Sequence, residues 1–231
     1  MVRLAQSYAV PIVYAPPPRH GGVINGATGT VLKVGLEHFI LTASHVLDGY
    51  EKRQVSGERL NWQVGHLPPF DPLSRIAWRD CARDIVLLRL CGDEASQVGS
   101  WVVTPSSWPP ERPDVGALVL VAGYPKVLRE EIGSLETIGS DPLSAMFRVT
   151  TTGEGYFVCQ IEQEDLVSFN EGPVPDADTD FGGLSGDPAL LVGAIDYPLV
   201  GVVSQYEANF QLLRIATLEG VIVDDGQAAE I

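Results

Sequence analysis

Apolar residues in this chain fall in short runs broken by Gly and Pro, with no sustained helical period. The runs Tyr8 to Tyr14, Thr30 to Val34, Phe39 to Ala43, Asn61 to His66, Arg75 to Trp78 and Ile85 to Leu90 predict strands. Pro11 lacks a ladder donor and places the first of these at a sheet edge or a bulge. The pattern restarts at Ala117 to Ala122, an entirely apolar run followed by Gly123-Tyr124-Pro125. Further strands are predicted at Met146 to Thr151, Gly155 to Ile161, Ala189 to Val192, Pro198 to Ser204 and Phe210 to Ile215. Leu218 to Val223 fits a short terminal helix or a strand remnant equally well. Between the two series, Pro105-Ser-Ser-Trp-Pro-Pro-Glu-Arg-Pro113 cannot be helix or central strand.

Many short strands with Gly and Pro turns predict an all-β sandwich or barrel. Two similar halves joined by a linker predict two barrels. The expected division is an N-terminal barrel over about 1–104, a Pro-rich linker at 105–113 and a C-terminal barrel over about 114–231.

Charge and cysteine usage narrow the function classes. The 231 residues include 15 basic and 30 acidic ones, a net charge of -15. Nucleic acid and anionic membranes both demand clustered Lys and Arg, so neither is an expected partner. Met1 to Pro18 lacks the charged, apolar, small pattern of a signal segment, and the apolar run Tyr8 to Ala15 is too short to cross a bilayer, so a cytoplasmic location is expected. Cys81 and Cys91 flank the strand-like run Asp84 to Leu90. A seven-residue strand is about 20 Å long, whereas a disulfide needs α-carbons within about 7 Å, so these two do not bridge unless the chain folds back. Cys159 has no evident mate, and zinc spacing is absent; neither a metal nor a cofactor is expected. Asp176-Ala-Asp178-Thr-Asp180 alternates acids as a calcium loop does, but Phe181 replaces the required glycine and no closing glutamate follows.

Three stretches carry candidate chemistry. Gly183-Leu184-Ser185-Gly186-Asp187-Pro188 reads as a sharp turn presenting one hydroxyl, with glycines that let backbone N–H groups approach a substrate. Leu41-Thr42-Ala43-Ser44-His45 puts a histidine just past an apolar strand, and Asp84 opens another. Serine needs a base to act as a nucleophile at neutral pH, histidine can take its proton, and a carboxylate can orient the imidazole. The chain order His, Asp, Ser differs from the orders of α/β-hydrolases and subtilisins.

With these residues the chain resembles the trypsin-like, chymotrypsin-fold serine peptidases of the disulfide-free kind found inside bacterial cells. Thr42-Ala43-Ser44-His45, Asp84-Ile85-Val86-Leu87-Leu88 and Gly183 to Pro188 carry the resemblance. Thr28-Gly29-Thr30-Val31-Leu32 and Gly201-Val202-Val203-Ser204 support it. It implies two six-stranded antiparallel β-barrels with the active site in the groove between them. Ser185 would be the nucleophile, His45 the general base and acid, and Asp84 its orienting group. The N–H groups of Gly183 and Ser185 would form an oxyanion hole. Ser204 would hydrogen-bond near Asp84, and the chain from Ser204 to Tyr206 would pair with a protein or peptide substrate.

Several residues depart from that pattern. Leu184 stands where zymogen-type members carry an aspartate that pairs with a freshly cut N-terminus, so activation by clipping, for instance after Arg19, is not expected. Asp187 replaces a small residue; it either opposes a developing oxyanion or points away and caps a turn. Thr179 takes the position at the base of the specificity pocket. A neutral floor at Thr179 or, with a one-residue shift, a carboxylate at Asp180 are both open. Tyr206 replaces a pocket-mouth glycine and favours a small side chain. The resemblance also implies control by a regulatory partner protein, in settings such as stress or phage defence. The alternative reading is a catalytically inactive peptidase fold that docks peptides in the same groove.

Overall fold

The computed structural model describes residues 2–17, 23–125, 129–132, 137–140, 142–161, 166–168, 183–193 and 197–223. The chain opens with a short helix, α1 (Val2–Tyr8), and then builds its first sheet from β1 (Ala9–Ala15), β2 (Asn25–Val34), β3 (Glu37–Thr42), β4 (Asn61–Val64), β5 (Ile76–Asp80), β6 (Ile85–Arg89) and β7 (Val102–Val103). The strand order is β4-β1-β2-β3-β6-β5, with β7 parallel to the end of β2. Two helices interrupt it, α2 (Ser44–Val55) and α3 (Glu94–Gln97). The chain then runs without helix or strand from 104 to 117.

The second sheet contains β8 (Leu118–Gly123), β11 (Leu143–Gly153), β12 (Tyr156–Gln160), β13 (Leu166–Ser168), β14 (Pro188–Leu191), β15 (Leu199–Glu207) and β16 (Leu212–Thr217). A separate hairpin pairs β9 (Arg129–Ile132) with β10 (Thr137–Ser140). The order β12-β16-β15-β14-β8-β11, closed by β11 against β12, makes a six-stranded antiparallel barrel. The architecture is the expected all-β, chymotrypsin-like one, with one difference: the first sheet has seven strands and shows no ladder between its end strands β4 and β5, so the first barrel is an open one.

Alternation of side chains along each strand sorts the apolar residues into three clusters. Val10, Ile12, Val31, Ile40, Trp62, Val86 and Leu88 fill the first barrel. Val119, Val121, Phe147, Phe157, Val203 and Ile215 fill the second. Their sequence neighbours Leu32, Phe39, Leu41, Ile85 and Leu87 meet Leu120, Ala122, Leu190, Leu199 and Val202 in a layer between the barrels. Strands with both faces buried must be apolar at every position, which is why Ile85 to Leu88 and Leu118 to Ala122 show no alternation. Each such side chain contributes about 1.5–3 kcal/mol on burial.

Two expectations are corrected. Pro11 does not mark an edge, because β1 pairs with both β2 and β4. Pro11 lies just past the last β4 partner, and its carbonyl accepts the Gly65 N–H at 2.9 Å, so its missing donor costs no ladder bond. Ser44 onward forms α2, a helix that the sequence pattern does not predict; Val46, Leu47 and Tyr50 supply its buried face. Leu218 to Val223 is neither helix nor strand, but it buries Leu218 and Val221 in the layer between barrels.

An aromatic cluster holds α2 in place. Tyr14 stacks on Trp62 with centroids 5.6 Å apart, and Tyr50 meets the Trp62 ring edge-on at 5.4 Å. We predict that Trp62→Ala lowers unfolding free energy by about 3–5 kcal/mol, whereas Leu36→Ala, at an exposed turn, stays within about 0.5 kcal/mol; urea unfolding of the two variants checks this.

The three cysteines are free; Cys81 and Cys91 are exposed and Cys159 is buried. Burial pushes the Cys159 thiol up to about 12, and the thiolate is the reactive form. Titration with a disulfide reagent near pH 8 is expected to find two reactive thiols in the folded chain and the third only after denaturation.

Candidate active site

Asp84 ends the turn between β5 and β6 with φ at +62°. An L-residue in that left-handed conformation costs roughly 1–2 kcal/mol, least for Asp and Asn. Asp80 holds the turn: Oδ1 accepts the Ala82 and Arg83 N–H groups at 2.9 and 3.0 Å, and Oδ2 accepts Arg83 Nε at 2.8 Å. The Arg83 guanidinium beside it holds the Asp80 carboxyl below its ordinary value. Arg83 also donates to the Glu219 carbonyl at 2.7 Å, which ties this turn to the end of the second barrel.

The strained conformation lets Asp84 meet the start of α2 twice. Its carbonyl accepts the Ser44 N–H at 3.1 Å and its Oδ1 accepts the His45 N–H at 2.8 Å. The helix supplies no side-chain cap of its own, since Ala43 stands at the N-cap. Asp84 therefore satisfies two of the orphan donors of the first turn, where helix polarity also favours a negative charge. The second carboxylate oxygen lies 2.7 Å from His45 Nδ1. A carboxylate can only accept, so Nδ1 carries the hydrogen and Nε2 is left with its lone pair. His45 is half-exposed and can offer that lone pair to a substrate-side partner.

Ser185 comes from the other barrel, and Thr28 brings it near. Thr28 lies in β2 opposite Pro11 and is fully buried. Its N–H donates to the Ser185 carbonyl at 3.0 Å, and its hydroxyl donates to the Gly183 carbonyl at 3.2 Å. The same hydroxyl accepts the Tyr124 N–H at 2.9 Å, and the Thr28 carbonyl accepts the Thr42 hydroxyl at 2.7 Å. Thr42 precedes His45 by three residues on β3. Gly186, with φ at +86°, lies so close that a β-carbon would collide with the Thr28 carbonyl and the Thr42 hydroxyl. With their carbonyls facing Thr28, Gly183 and Ser185 donate their N–H groups to no backbone carbonyl among the described residues. No hydrogen bond joins the Ser185 hydroxyl to another described residue, His45 included; His45 and Asp84 form the only directly bonded pair of the three.

The remaining expected residues divide. Asp187 is fully buried and points inward: it lines a cavity with Val121, Ser144, Phe147 and Leu184, and its oxygens take the space a side chain at Gly123 would need. Of its two readings, the one in which it points away from the oxyanion fits. Burial, with a further contribution from the Asp187 charge, raises the Tyr124 phenol. Leu184 joins the second barrel's core. Ser204 is the unpaired residue of a bulge between β15 and β16, where Val203 faces Ile215 and Gln205 faces Arg214. The bulge turns Ser204 into a cleft that Asp84 also lines, but its hydroxyl donates to the Arg214 carbonyl at 3.1 Å rather than bonding near Asp84. Tyr206 is half-buried against the second barrel's core. Thr179, Asp180 and the Asp176–Asp180 acids lie outside the described residues, as does Arg19. Among the described residues no His, Cys, Asp and Glu cluster could hold a metal ion, and no helix is long and apolar enough to cross a membrane.

Thr28, Thr42, Asp80 and Arg83 were not singled out as functional residues from the sequence. A buried threonine in a strand looks like any β-former, and only its four hydrogen bonds reveal the role.

Residues 27–190 match the model of the trypsin-like peptidase domain. No curated protein matches by sequence. Among solved structures, the chain is similar to a thermostable serine protease, AL20, from an extremophilic microorganism, with a TM-score of 0.53 and 11% identity over 92% of each chain. It is similar to the tobacco vein mottling virus protease, with a TM-score of 0.51 and 11% identity over 92% of this chain and 77% of that one. A catalytically inactive tobacco etch virus protease complexed with substrate gives a TM-score of 0.51 and 12% identity over 92% and 78%. At such identities the structural likeness concerns the fold.

Thr28→Val keeps the shape and removes the hydroxyl. The Tyr124 N–H then loses its acceptor inside the protein, at roughly 1–3 kcal/mol. We predict that stability falls by that amount and that fluorophosphonate labelling of the chain slows by about tenfold or more, because a displacement near 1 Å costs about 10²-fold in rate; urea unfolding and labelling kinetics check both.

Proposed function

The chain belongs to the trypsin-like peptidase domain family, a family of serine endopeptidases, and from that premise we propose that Ser185, His45 and Asp84 are its catalytic triad. The observation that carries the reading is the bond from His45 Nδ1 to Asp84, which leaves Nε2 free to act as a base. Ser185 Oγ attacks the scissile carbonyl carbon while Nε2 takes its proton. The N–H groups of Gly183 and Ser185 stabilise the resulting oxyanion. The imidazolium, held by Asp84, then protonates the leaving amine, and an acyl-enzyme forms on Ser185. Water activated by His45 attacks the ester, and the proton returns to Ser185 as the acid product departs. The distance between Ser185 and His45 closes when a substrate carbonyl occupies the groove, as catalytic hydrogen bonds often do.

Substrates are protein or peptide chains bound as an added strand. Gln205 to Glu207 on β15 pair with β16 on one side, while β14 follows β15 only as far as Val202, so among the described residues no strand pairs with the other edge of Gln205 to Glu207. By the family resemblance the residue that sets the preferred side chain at the cut is Thr179 or, with a one-residue shift, Asp180, and Tyr206 narrows the pocket mouth. Leu184 cannot make the ion pair of a zymogen switch, which supports control by a partner protein instead; a setting in stress or phage defence rests on the family resemblance alone. The exposed free thiols of Cys81 and Cys91 support a reducing, cytoplasmic setting.

The test is fluorophosphonate labelling. Wild type is expected to label, and Ser185→Ala is expected not to. Asp84→Asn should lower turnover of a peptide substrate by roughly 10⁴-fold, through the wrong imidazole tautomer. Labelling that persists in Ser185→Ala would remove the assignment of the nucleophile. A folded wild type that never labels, alone or with cell extract, would favour the inactive peptide-docking module.

A further inference from the structure

The cleft beside the His45–Asp84 pair has a volume of about 180 Å³ and is lined by Arg83, Asp84, Tyr156, Ser204, Gln205 and Arg214, among others. Two of its four charged groups are already committed. Arg83 is bound to Asp80 and to the Glu219 carbonyl, and Asp84 is bound to His45. Arg214 is different. Its guanidinium lies over the Tyr156 ring at 4.0 Å, is exposed, and among the described residues donates no hydrogen bond and makes no ion pair. Glu154, which also lines the cleft, is exposed on the turn after β11 and makes no ion pair with Arg214.

The ladder explains this placement. Gln205 faces Arg214 across β15 and β16, and Val158 faces Arg214 across β12, so Tyr156 lies diagonal to it and can carry the guanidinium. A stacked guanidinium has already lost much of its freedom and presents a planar set of donors that matches a carboxylate.

We infer that Arg214 is a specificity-determining residue that selects an acidic side chain, Asp or Glu, on the acyl side of the cut. The inference rests on the strand-addition reading above. Side chains of an added strand alternate between faces. If the residue at the cut, counted as the first, faces the pocket narrowed by Tyr206, the second and fourth residues before the cut turn to the opposite face. The cleft next to His45 and Asp84 opens there. A carboxylate from either position reaches Arg214 across Gln205, while Asp84 stays engaged with the imidazole.

The experiment uses the Ser185→Ala chain, so that binding is read without turnover. Fluorescent peptides identical except for Glu or Gln at the second or fourth residue before the cut are compared by anisotropy. The acidic peptide at one of these positions is expected to bind about five- to tenfold tighter, the range of a partly exposed charge-assisted pair. Arg214→Gln in the same background should bring the ratio within about twofold of one, Arg214→Lys should keep part of it, and Arg214→Glu should favour Lys over Gln in the peptide. Arg214 is exposed and Ser204 bonds only to its carbonyl, so these variants should melt with the parent. A ratio unchanged in Arg214→Gln, no acid preference at either position, or no binding of either peptide would overturn the inference. An acid preference lost in Arg214→Gln beside a wild type that never labels would support Arg214 and sink the catalytic reading; labelling without the preference would do the reverse.

Discussion

Thr28 is where two barrels become one site. Four hydrogen bonds converge on this buried residue, two to the Ser185 turn, one from Thr42 and one from the chain after β8. Its backbone is available because Pro11 and Thr28 form a non-hydrogen-bonded pair of the ladder: the Pro11 carbonyl faces the β4 side, and the N–H and carbonyl of Thr28 face away from β1. The apolar layer of Phe39, Leu41, Leu120 and Val202 supplies the attraction between barrels without direction. The bonds of Thr28 supply direction and set which turn of the second barrel lies against β3. Gly186 completes the arrangement, since any side chain there would lift the turn away.

The first barrel contributes its half of the site by a different device. A helix whose N-cap is alanine would leave its first N–H groups without partners. Asp84 supplies them from another strand and, with its second oxygen, fixes the imidazole. The left-handed backbone of Asp84 is a local cost, which the Asp80 and Arg83 network offsets. The same carboxylate thus stabilises the fold and orients His45.

The fold class was legible because short apolar runs punctuated by Gly and Pro leave few alternatives to β structure. The strands buried on both faces were found as apolar runs for the same reason. Helix α2 was not, because its exposed face is charged and its buried face is only Val46, Leu47 and Tyr50. Pro11 misled, because a local rule about ladder donors cannot see where the neighbouring strand ends. The motif residues His45 and Asp84 stood out by their position beside apolar strands, and they lie in contact. Arg214 and Thr28 carried no sequence signal: their roles exist only through register, bulge and packing partners that lie far along the chain.

Asp84 and Ser185 differ in what else depends on them. The Ser185 hydroxyl bonds to no other described residue, so its replacement leaves the bonds from Thr28 that hold the turn in place. A replacement of Asp84 that lacks a side-chain oxygen leaves the His45 N–H at the start of α2 without this acceptor, whereas asparagine keeps one. In a lineage released from selection for proteolysis, the serine would therefore be the first to drift, and the aspartate and its histidine would persist as fossils of the lost chemistry. If Ser185 is the nucleophile proposed above, an intact pair at these two positions in a related gene says that this corner of the fold is held, and the residue at the serine position has to be read beside it to say whether the protein still cuts.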